Sequence, residues 1–481
     1  MSTGVVLNRE VRAFLRRAGG SVSEGDVAAG TGLALDRVRA ALYDLMRTHR
    51  CRLGVRDDGT LMYDFGPELV PLTRRPHRER LAAVGRWMWR GFSLAYKASL
   101  AIVLVAYAIA FVLLIIAAAV AAAAATRDES PVEGALLLVQ GIFRGIFEFA
   151  THSALIYADT DRYGYPHGHY APKQPVLRGR RTRRGGAAAV VPPPKGFVAS
   201  VYDFVLGPAR VEPSPHAQTR ELASFVRARG NVLTVRDVQA LSGRPRKEAE
   251  ALFAAFVAEQ NGVAEISDQG ALYATFDELV RSETTGQDAP IEYYWDEYEP
   301  PFELTGNSFG KNALIASLAA FNLFGAYLTM SVLSGPLAGF GFWVGVVPAV
   351  IFSLFFAVPL IRLPVVWWRN RRQHRNNIRR RIYREVFTAD DDELSAPTVV
   401  DRANERAVTE EFLRIEDVGD LVSETVEELG VGYAADAQGH LAADLRQLRI
   451  EAQAVEEHAA EEVAEAAAVI HTTDGRPWRS P

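Results

Sequence analysis

Three ionisable residues stand in an otherwise apolar stretch, residues 135–157, and their types and spacing favour proton or ion chemistry. Arg144, Glu148 and His152 follow one another at four-residue intervals. On a helix this spacing places them on one face, where Arg144 can pair with Glu148. Ionisable groups at membrane depth commonly mark transport pathways, and a buried ion pair between helices is the simpler alternative. A third alternative is a helix that lies in the membrane interface.

The rest of the sequence carries no pattern that predicts a reaction. His167 and His169 lack a third ligand nearby, and Cys51 is the single cysteine, which excludes an intramolecular disulfide and a cysteine metal cluster. Phosphate-binding loops, nucleophile elbows, HExxH motifs and paired CxxC motifs do not occur in the sequence. We therefore expect a protein that is not an enzyme and that has no catalytic residues, metal site or cofactor.

Two long charge-free stretches predict the helices that would hold these side chains in a membrane. Residues 98–126 and 312–361 comprise 29 and 50 positions without a charge, whereas about 20 helical residues cross a bilayer. The second stretch would reach about 75 Å as one helix, so the turn residues SGPLAGFG near its middle predict a hairpin of two spans. With residues 135–157, the sequence predicts about four spans arranged as two hairpins. Gly341 and Gly345 predict close helix packing in the second hairpin.

Lys and Arg residues collect on one side of the predicted spans. Seven lie in residues 71–97, seven in residues 171–195 and nine in residues 362–384. Because an excess of Lys and Arg marks the cytoplasmic side, we expect a bacterial inner-membrane protein with both termini in the cytoplasm. The same side chains are expected to contact the lipid bilayer at anionic headgroups.

Aromatic residues beside these segments predict a belt at the membrane surface, because amphipathic rings favour the headgroup level. One group precedes the third span and consists of Tyr293, Tyr294, Trp295 and Tyr298. A second group lies beside the arginines and consists of Trp87, Trp89, Trp367 and Trp368. We expect both groups to lie at the bilayer interface.

The polar segments contain an internal repeat. Residues 10–65 align without a gap on residues 221–276, at a shift of 211 positions. The identical pairs include Phe14/Phe225, Gly19/Gly230, Asp26/Asp237, Val27/Val238, Gly32/Gly243, Asp57/Asp268, Gly59/Gly270, Leu61/Leu272 and Phe65/Phe276. A gapless alignment over about 55 residues indicates duplication.

Each copy predicts three helices followed by a β-hairpin. A Ser or Thr three residues before an Asp is spaced as the N-terminal cap of a short second helix. An apolar–polar alternation around Asp57 and Gly59, and again around Asp268 and Gly270, predicts a two-stranded hairpin with its turn at these residues. Three helices and a hairpin, with glycine between the second and third helix, are typical of a winged helix-turn-helix.

A third, degenerate copy follows the last span. Residues 421–445 repeat the last helix and the hairpin, with Asp436 and Gly439 at the turn. The turn is one residue longer, and the earlier helices do not align. We name the copies module 1 (residues 1–70), module 2 (residues 213–280) and module 3 (residues 389–448).

The sequence thus predicts a mainly α membrane protein with about four transmembrane helices in two hairpins and two to three small α+β winged-helix-like modules. The string LTGN before a long apolar hairpin resembles uncharacterised bacterial multi-pass membrane proteins with repeated winged-helix-like cytoplasmic modules, and this resemblance implies no catalytic motif or activity. Between the modules we expect a basic juxtamembrane helix (71–97), transmembrane hairpin 1 (98–158, with spans at about 98–125 and 135–157), a basic Pro/Gly-rich linker (159–212), an acidic aromatic linker (281–311), transmembrane hairpin 2 (312–361), a second basic juxtamembrane helix (362–388) and an acidic helical tail (449–481).

Charge decides what the modules are expected to bind, because nucleic-acid binding needs a positive surface. Residues 213–280 hold 7 basic and 9 acidic residues, and residues 385–481 hold 7 and 24. In residues 1–90, six of the 16 basic residues follow Phe65, beside the membrane. Nucleic acid is therefore disfavoured as a partner, and a protein partner or a second copy of the chain is favoured.

The expected function follows from this balance. We expect a non-enzymatic assembly or regulatory scaffold that acts through the modules and through self-association. The first alternative is a transporter or channel with a polar pathway at Arg144, Glu148 and His152, and the second is a membrane-tethered DNA-binding regulator. Residues 450–470 predict an acidic amphipathic helix that binds a partner or another copy, or that is solvated.

Overall fold

The fold is mainly helical, with three small sheets, in the part of the chain that the computed structural model describes. The described residues are 3–19, 21–56, 59–66, 69–70, 72, 77–126, 133–134, 136–137, 140–141, 144, 196–208, 216–280, 290–297, 299–332, 338–405, 413–435 and 441–458. Three of the described helices are long and apolar enough to cross a membrane. The candidate spans are Ala95–Ala125, Phe309–Ser331 and Phe342–Phe387.

The elements follow one another module by module. Module 1 contains α1 (Thr3–Ala18), β1 (Ser21–Val22), α2 (Glu24–Thr31), α3 (Leu35–Thr48), β2 (Arg52–Val55) and β3 (Leu61–Asp64) and is followed by α4 (His77–Thr126) and α5 (Phe197–Leu206). Module 2 contains α6 (Ala217–Ala228), β4 (Val232–Thr234), α7 (Val235–Ser242), α8 (Arg246–Glu259), β5 (Val263–Ile266), β6 (Leu272–Thr275) and α9 (Asp277–Val280). A 3-10 helix (Tyr294–Asp296), α10 (Phe309–Val332), α11 (Ala338–Gly341), a π-helical turn (Phe342–Val346) and α12 (Val347–Phe387) come next. Module 3 contains β7 (Glu393–Ser395), α13 (Ala396–Glu405), α14 (Ile415–Glu428), β8 (Gly432–Ala435) and β9 (Leu441–Asp444), and residues 446–458 are helical and are called the C-terminal helix.

The three long helices pack together through apolar side chains. Leu104 of α4, Ile315 of α10, and Phe352 and Phe355 of α12 are buried in one cluster. Asn322 of α10 is also buried, and its Nδ2 donates to the carbonyl oxygen of Leu104 at 2.9 Å, which ties α10 to α4. Most of each apolar window remains at the surface of the protein, a distribution that suits surrounding lipid.

The predicted span at 135–157 falls mostly outside the described residues. Residues 136–137, 140–141 and 144 are helical. The structure therefore describes three candidate spans, and the fourth stays a prediction.

Helix α5 lies in the range 159–212, for which the sequence predicts a linker. Its residues Val201, Phe204 and Val205 are buried against the three long helices. Their spacing is that of an amphipathic helix, but a helix of ten residues after a basic Pro/Gly-rich run is easily taken for part of that run. The structure differs from the predicted linker at this point.

Close packing between α10 and the last long helix centres on Gly345. A Cβ at Gly345 would lie 2.6 Å from Cγ of Met330, so a residue without a Cβ is needed at this approach. Gly341 is buried at the end of α11. In the π-helical turn that follows, the N–H of Val347 donates to the carbonyl oxygen of Phe342, and the helix then continues into α12.

Each module has the same order of elements around a three-stranded antiparallel sheet. The strand before the second helix pairs with the last strand, which gives the orders β1-β3-β2, β4-β6-β5 and β7-β9-β8. Equivalent pairs in the three sheets are Val22 with Tyr63, Leu233 with Ala274 and Leu394 with Ala443. The sequence predicts only the hairpin, because a strand of two or three residues is too short to show an alternation.

The second helix of modules 1 and 2 begins with a reciprocal cap. The hydroxyl of Ser23 accepts the N–H of Asp26 at 3.1 Å, and the Asp26 carboxylate accepts the N–H of Ser23 at 2.9 Å. Thr234 and Asp237 form the same pair of bonds. The cap predicted from the spacing of these residues is thus confirmed.

Module 3 takes its first helix from the end of α12. Ile382, Tyr383, Val386 and Phe387 are buried in one core with its strands and helices. The sequence predicts a juxtamembrane helix that ends before module 3, because the arginines of residues 362–384 obscure these apolar positions. The structure shows one helix that serves both parts.

Two further differences explain why the early helices of module 3 do not align. Nine residues, 406–414, separate α13 from α14, whereas three residues, 243–245, separate α7 from α8. Thr398 also stands where modules 1 and 2 have the capping aspartate, and its hydroxyl lies 2.8 Å from that of Ser395.

Candidate functional site

The predicted polar pathway is described at one residue. Arg144 is helical and exposed. Glu148 and His152 lie outside the described residues, so the pathway stays a prediction. Within the described ranges, no group of three or more His, Cys, Asp or Glu side chains is placed to hold a metal ion.

The predicted hairpin turns are partly described. Gly59 and Gly270 stand at equivalent turns, with φ of +81° and +84°, which is backbone that favours glycine. Asp268 lies beside the second turn and is exposed. The other predicted turn residues, Asp57, Asp436 and Gly439, lie outside the described residues. The described turn residues shape the tips of two modules and assemble no reactive group.

Three aromatic residues predicted for the membrane surface pack between the modules. Tyr293 stacks on Trp295 and Trp295 on Phe387, with ring centroids 4.7 Å and 5.3 Å apart. Tyr294 meets Tyr383 edge-on at 5.1 Å, and burial raises the pKa of Tyr294. Tyr383 and Phe387 lie 22 and 26 residues beyond the charge-free run, which is about 33 Å and about 39 Å along α12 at about 1.5 Å per residue. These three residues therefore pack within the protein, and their position relative to a bilayer stays a prediction.

The tryptophans beside the arginines are placed differently. Trp89, Trp367 and Trp368 are exposed, as residues at a bilayer surface would be. Tyr298 and the side chain of Trp87 lie outside the described part.

Modules 1 and 2 are joined by a contact in which α6 and α9 cover α2. Asp26 accepts Nη2 of Arg227 at 3.1 Å, with the Asp26 side chain fully buried and that of Arg227 7% exposed. The amide of Gln260 donates to the carbonyl oxygen of Leu33 at 3.1 Å. A Cβ at Gly25 would lie 2.4 Å from a backbone oxygen of α9. An ion pair, a hydrogen bond and a close backbone approach therefore hold module 2 on module 1.

Modules 2 and 3 are joined in a similar way. Glu451 of the C-terminal helix is 1% exposed, accepts the N–H of Arg236 at 2.9 Å and pairs with Arg246 at 2.7 Å. The amide of Gln239 donates to the carbonyl oxygen of Leu429 at 3.3 Å. Burial is the largest single influence and lowers the pKa of Arg246, but the hydrogen bonds and charges of Glu451 and Glu250 together outweigh burial, so the pKa of Arg246 is raised. The predicted acidic tail thus begins as a helix packed on module 2, and its continuation beyond residue 458 lies outside the described residues.

The first helix of module 2 covers Gly32, the glycine that follows the second helix of module 1. The first helix of module 3 likewise covers Gly243, the glycine that follows the second helix of module 2. If Gly32 carried a Cβ, this atom would lie 2.9 Å from Cγ of Arg220, so α6 closely approaches the end of α2. Nη2 of Arg379 and the hydroxyl of Tyr383 donate to the carbonyl oxygen of Gly243, at 3.1 Å and 3.3 Å. The end of α12 thereby reaches module 2 as α6 reaches module 1.

The two contacts use equivalent positions of the repeat. Arg236 occupies in module 2 the place of Gly25 in module 1, and Leu429 occupies in module 3 the place of Gln260 in module 2. We call the second helix of a module, α2, α7 or α13, its receiving face. We call the first helix, the end of the third helix and the helix after the last strand its docking face. In both contacts the docking face of the later module covers the receiving face of the earlier one.

Sequence reasoning missed the residues that join the modules. The alignment does contain a signal, because Arg9/Arg220 and Arg16/Arg227 are identical pairs at the 211-residue shift. Glu451, in contrast, is one of many acids near the C-terminal end and carries no signal of its own.

The capping aspartate of module 2 is buried as completely as that of module 1. Burial raises the pKa of Asp237, and this rise is opposed by Arg229, whose Nη1 lies 3.3 Å away, and by the Thr234 hydroxyl. The carboxyl therefore gains a proton more readily than an exposed aspartate does, even though it accepts the N–H of Thr234.

Comparison with known proteins finds no family model that matches the chain and no similar curated protein or solved structure.

Proposed function

We propose that this chain is a non-enzymatic membrane protein that holds a stack of winged-helix-like modules in the bacterial cytoplasm and serves there as a scaffold for protein assembly. The stack consists of modules 1, 2 and 3 in the order of the sequence. The bilayer is contacted by the apolar helices and, at its anionic headgroups, by the arginines beside them. The partner is a protein or a second copy of the chain.

The observation that carries this proposal is the pair of equivalent contacts between the modules. Asp26 with Arg227 and Glu451 with Arg246 are ion pairs whose carboxylates are buried. Ion pairs of this kind hold a fixed geometry, because separating them leaves a charge without water or partner. Modules joined in this way present their outer surfaces at fixed distances, as a scaffold requires.

The continuity of α12 supports the same proposal. The helix begins in an apolar segment that suits a bilayer and ends at Phe387 in the core of module 3. No flexible linker separates the two parts, so the stack would keep its orientation to the membrane. Rigid attachment of this kind favours a scaffold over modules tethered by a flexible chain.

The hairpins offer a surface for a protein partner. Val55 pairs with Leu61 across module 1, and Ile266 pairs with Leu272 across module 2. Val55 is 70% exposed and Ile266 is 72% exposed. An exposed apolar pair is thus found at equivalent positions of modules 1 and 2. Exposed apolar residues that recur together favour a protein contact.

The third helix of module 2 disfavours nucleic acid. In a winged helix-turn-helix this helix enters the major groove. One lysine, Lys247, is exposed at the start of α8, and the other exposed residues of this helix are acidic or small and apolar, namely Glu248, Glu250, Ala251, Ala254, Ala255, Ala258 and Glu259. A surface with one exposed lysine and three exposed acids neutralises few phosphates.

Site-specific photocrosslinking in living cells tests the proposal. A photoreactive amino acid is placed at Val55 or at Ile266 in the full-length protein, and at Glu416, an exposed polar position of α14, as the control. We expect discrete protein adducts from both hairpin positions and weaker ones from Glu416. Adducts no stronger than those of the control would refute the scaffold.

The alternative of a polar pathway is tested in the same cells. R144L/E148L is expected to leave the adducts at Ile266 unchanged, because the scaffold acts through the modules. A transport activity that R144L/E148L abolishes, in a protein that still reaches the membrane, would favour the alternative.

A further inference from the structure

The contact between modules occurs twice in the part of the chain that the structure describes, between modules 1 and 2 and between modules 2 and 3. The receiving faces α2 and α7 are covered by the following module. Within the described residues, no module covers the receiving face of module 3, α13. In the same part of the chain, no module covers the docking face of module 1, which consists there of α1 and the end of α3. These two uncovered faces correspond to the two faces that meet in each contact between neighbouring modules.

Module 1 has kept the arginines of a docking face. Arg9 and Arg16 on α1 occupy the places of Arg220 and Arg227, the residues through which α6 contacts Gly32 and Asp26. Both Arg9 and Arg16 are exposed. The positions that join module 2 to module 1 are thus present on module 1 itself, where they point to solvent.

The receiving face of module 3 is acidic. Asp401 and Glu405 lie on α13 and are exposed. Thr398 stands at the position of the capping aspartate, so module 3 departs from modules 1 and 2 there. The exposed acids of α13 offer a substitute partner for an arginine from another chain. One further residue of α13, Arg402, is engaged with Asp391 at 2.5 Å.

Charge therefore matches the two free faces to each other and disfavours like pairing. The face of module 1 presents two arginines, and the face of module 3 presents two carboxylates within a region of 7 basic and 24 acidic residues. Two copies of α1 would repel each other, and so would two copies of α13.

We propose that the docking face of module 1 in one copy binds the receiving face of module 3 in a second copy, so that copies associate head to tail. This inference rests on the proposed scaffold function and names a second copy as its partner. A head-to-tail contact is not self-complementary, so it produces a ring or a filament rather than a closed pair. The chain would in this way extend its internal stack from one molecule to the next.

Charge reversal in the full-length protein tests the contact. The protein is reconstituted in vesicles of neutral lipid, and association is measured by energy transfer between two labelled populations of the protein. R9E/R16E and D401R/E405R are each expected to associate at least about tenfold more weakly than the wild type, because like charges then face each other. Mixing these two variants is expected to restore association, since each reversed face then meets an opposite charge.

Matched controls separate the proposed contact from a general effect of charge. R37E/R52E changes exposed arginines at the start of α3 and on β2 in module 1, outside its docking face, and E416R/D420R changes exposed acids of α14 in module 3. Both are expected to associate as the wild type does. A monomeric wild type, equal loss in the controls, or absence of rescue in the mixture would each overturn the proposal.

The adducts at Ile266 report on the scaffold, and association between labelled copies reports on the head-to-tail contact, so the two proposals can fail independently. Adducts from Ile266 that persist in R9E/R16E, together with unchanged association of that variant, would leave the scaffold standing and reject head-to-tail assembly. Loss of association in R9E/R16E and D401R/E405R, with rescue in the mixture, would support the contact even where Ile266 forms no adduct.

Discussion

Asp26 and Arg227 are 201 residues apart in sequence, and their side chains form an ion pair at 3.1 Å. Asp26 caps the second helix of module 1 through Ser23, and the same carboxylate receives the arginine of module 2. One residue thus stabilises the fold of its own module and the contact with the next. Loss of Arg227 would leave the Asp26 carboxylate buried without a countercharge. Breaking the contact between the modules would therefore also destabilise the fold of module 1.

Replacing Arg227 with methionine is expected to destabilise the protein strongly. The Asp26 carboxylate would keep its bonds to Ser23 but lose its countercharge in a buried place, at a cost of about 3 kcal/mol. The free energy of unfolding in urea, measured on the detergent-solubilised protein, checks this value. Arg47→Met, at an exposed position of α3, is the control and is expected to change the free energy of unfolding by less than about 0.5 kcal/mol. Equal effects of the two changes would contradict the role of the ion pair.

The sequence was sufficient to predict the apolar helices and the capped second helix of modules 1 and 2. Charge-free runs and the capping residues Ser23 and Asp26 are local signals, and local signals survive in a single sequence. The three helices long and apolar enough to cross a membrane, and the helix caps, follow from such signals.

The contacts between modules could not be predicted, because they depend on residues far apart in sequence. Nothing near Glu451 distinguishes it from the other acids of the C-terminal region, and its partner Arg246 lies in another module. Tyr294 and Trp295 show the same limit. Their aromatic and acidic surroundings resemble a membrane border, and only the position of α12 reveals that they pack on Tyr383 and Phe387.

Gly25 tests how closely α2 and α9 approach. Gly25→Ala would place a Cβ 2.4 Å from a backbone oxygen of module 2, and relief of this clash is expected to cost about 1–3 kcal/mol. Gly54→Ala is the control, because a Cβ there would lie 3.8 Å from Cβ of Met62, an ordinary contact. Thermal unfolding followed by circular dichroism should show a lower Tm for the first variant alone. A Tm equal to that of the wild type would mean that the two modules do not approach as described.

Glu451 should hold the C-terminal helix on module 2. Glu451→Gln removes the buried carboxylate. Arg246 and the N–H of Arg236 then lose the negatively charged acceptor that both of them contact. We expect faster amide hydrogen exchange in residues 446–458 and in α7, by at least about tenfold, because loss of a buried charged hydrogen bond costs about 1.5–3 kcal/mol. Glu456→Gln, at an exposed position of the same helix, is expected to leave exchange unchanged. Protection that is equal in the two variants would argue against the contact.

The buried carboxyl of Asp237 predicts a dependence of stability on pH. Its folded-state pKa is raised by burial, so its contribution to stability is fully present below the unfolded pKa of about 3.9 and is lost as pH rises through the folded pKa. Asp237→Asn keeps an oxygen that can accept the N–H of Thr234 and removes the titration. The advantage of the wild type over this variant in free energy of unfolding should therefore shrink as pH rises above about pH 4 and through the raised folded-state pKa. An advantage that grows with pH would show that Arg229 and Thr234 outweigh burial.

The position of Trp295 can be measured against that of Trp367. Trp295 stacks on Phe387 about 39 Å beyond the charge-free part of α12, whereas Trp367 is exposed near the border of that part. Two full-length variants, each retaining one of these tryptophans with the others changed to phenylalanine, are placed in vesicles with brominated lipids. We expect quenching of Trp367 and little or none of Trp295, because bromine quenches only rings that lie within the bilayer. Comparable quenching of both would return Trp295 to the interfacial belt and bring the modules to the membrane surface.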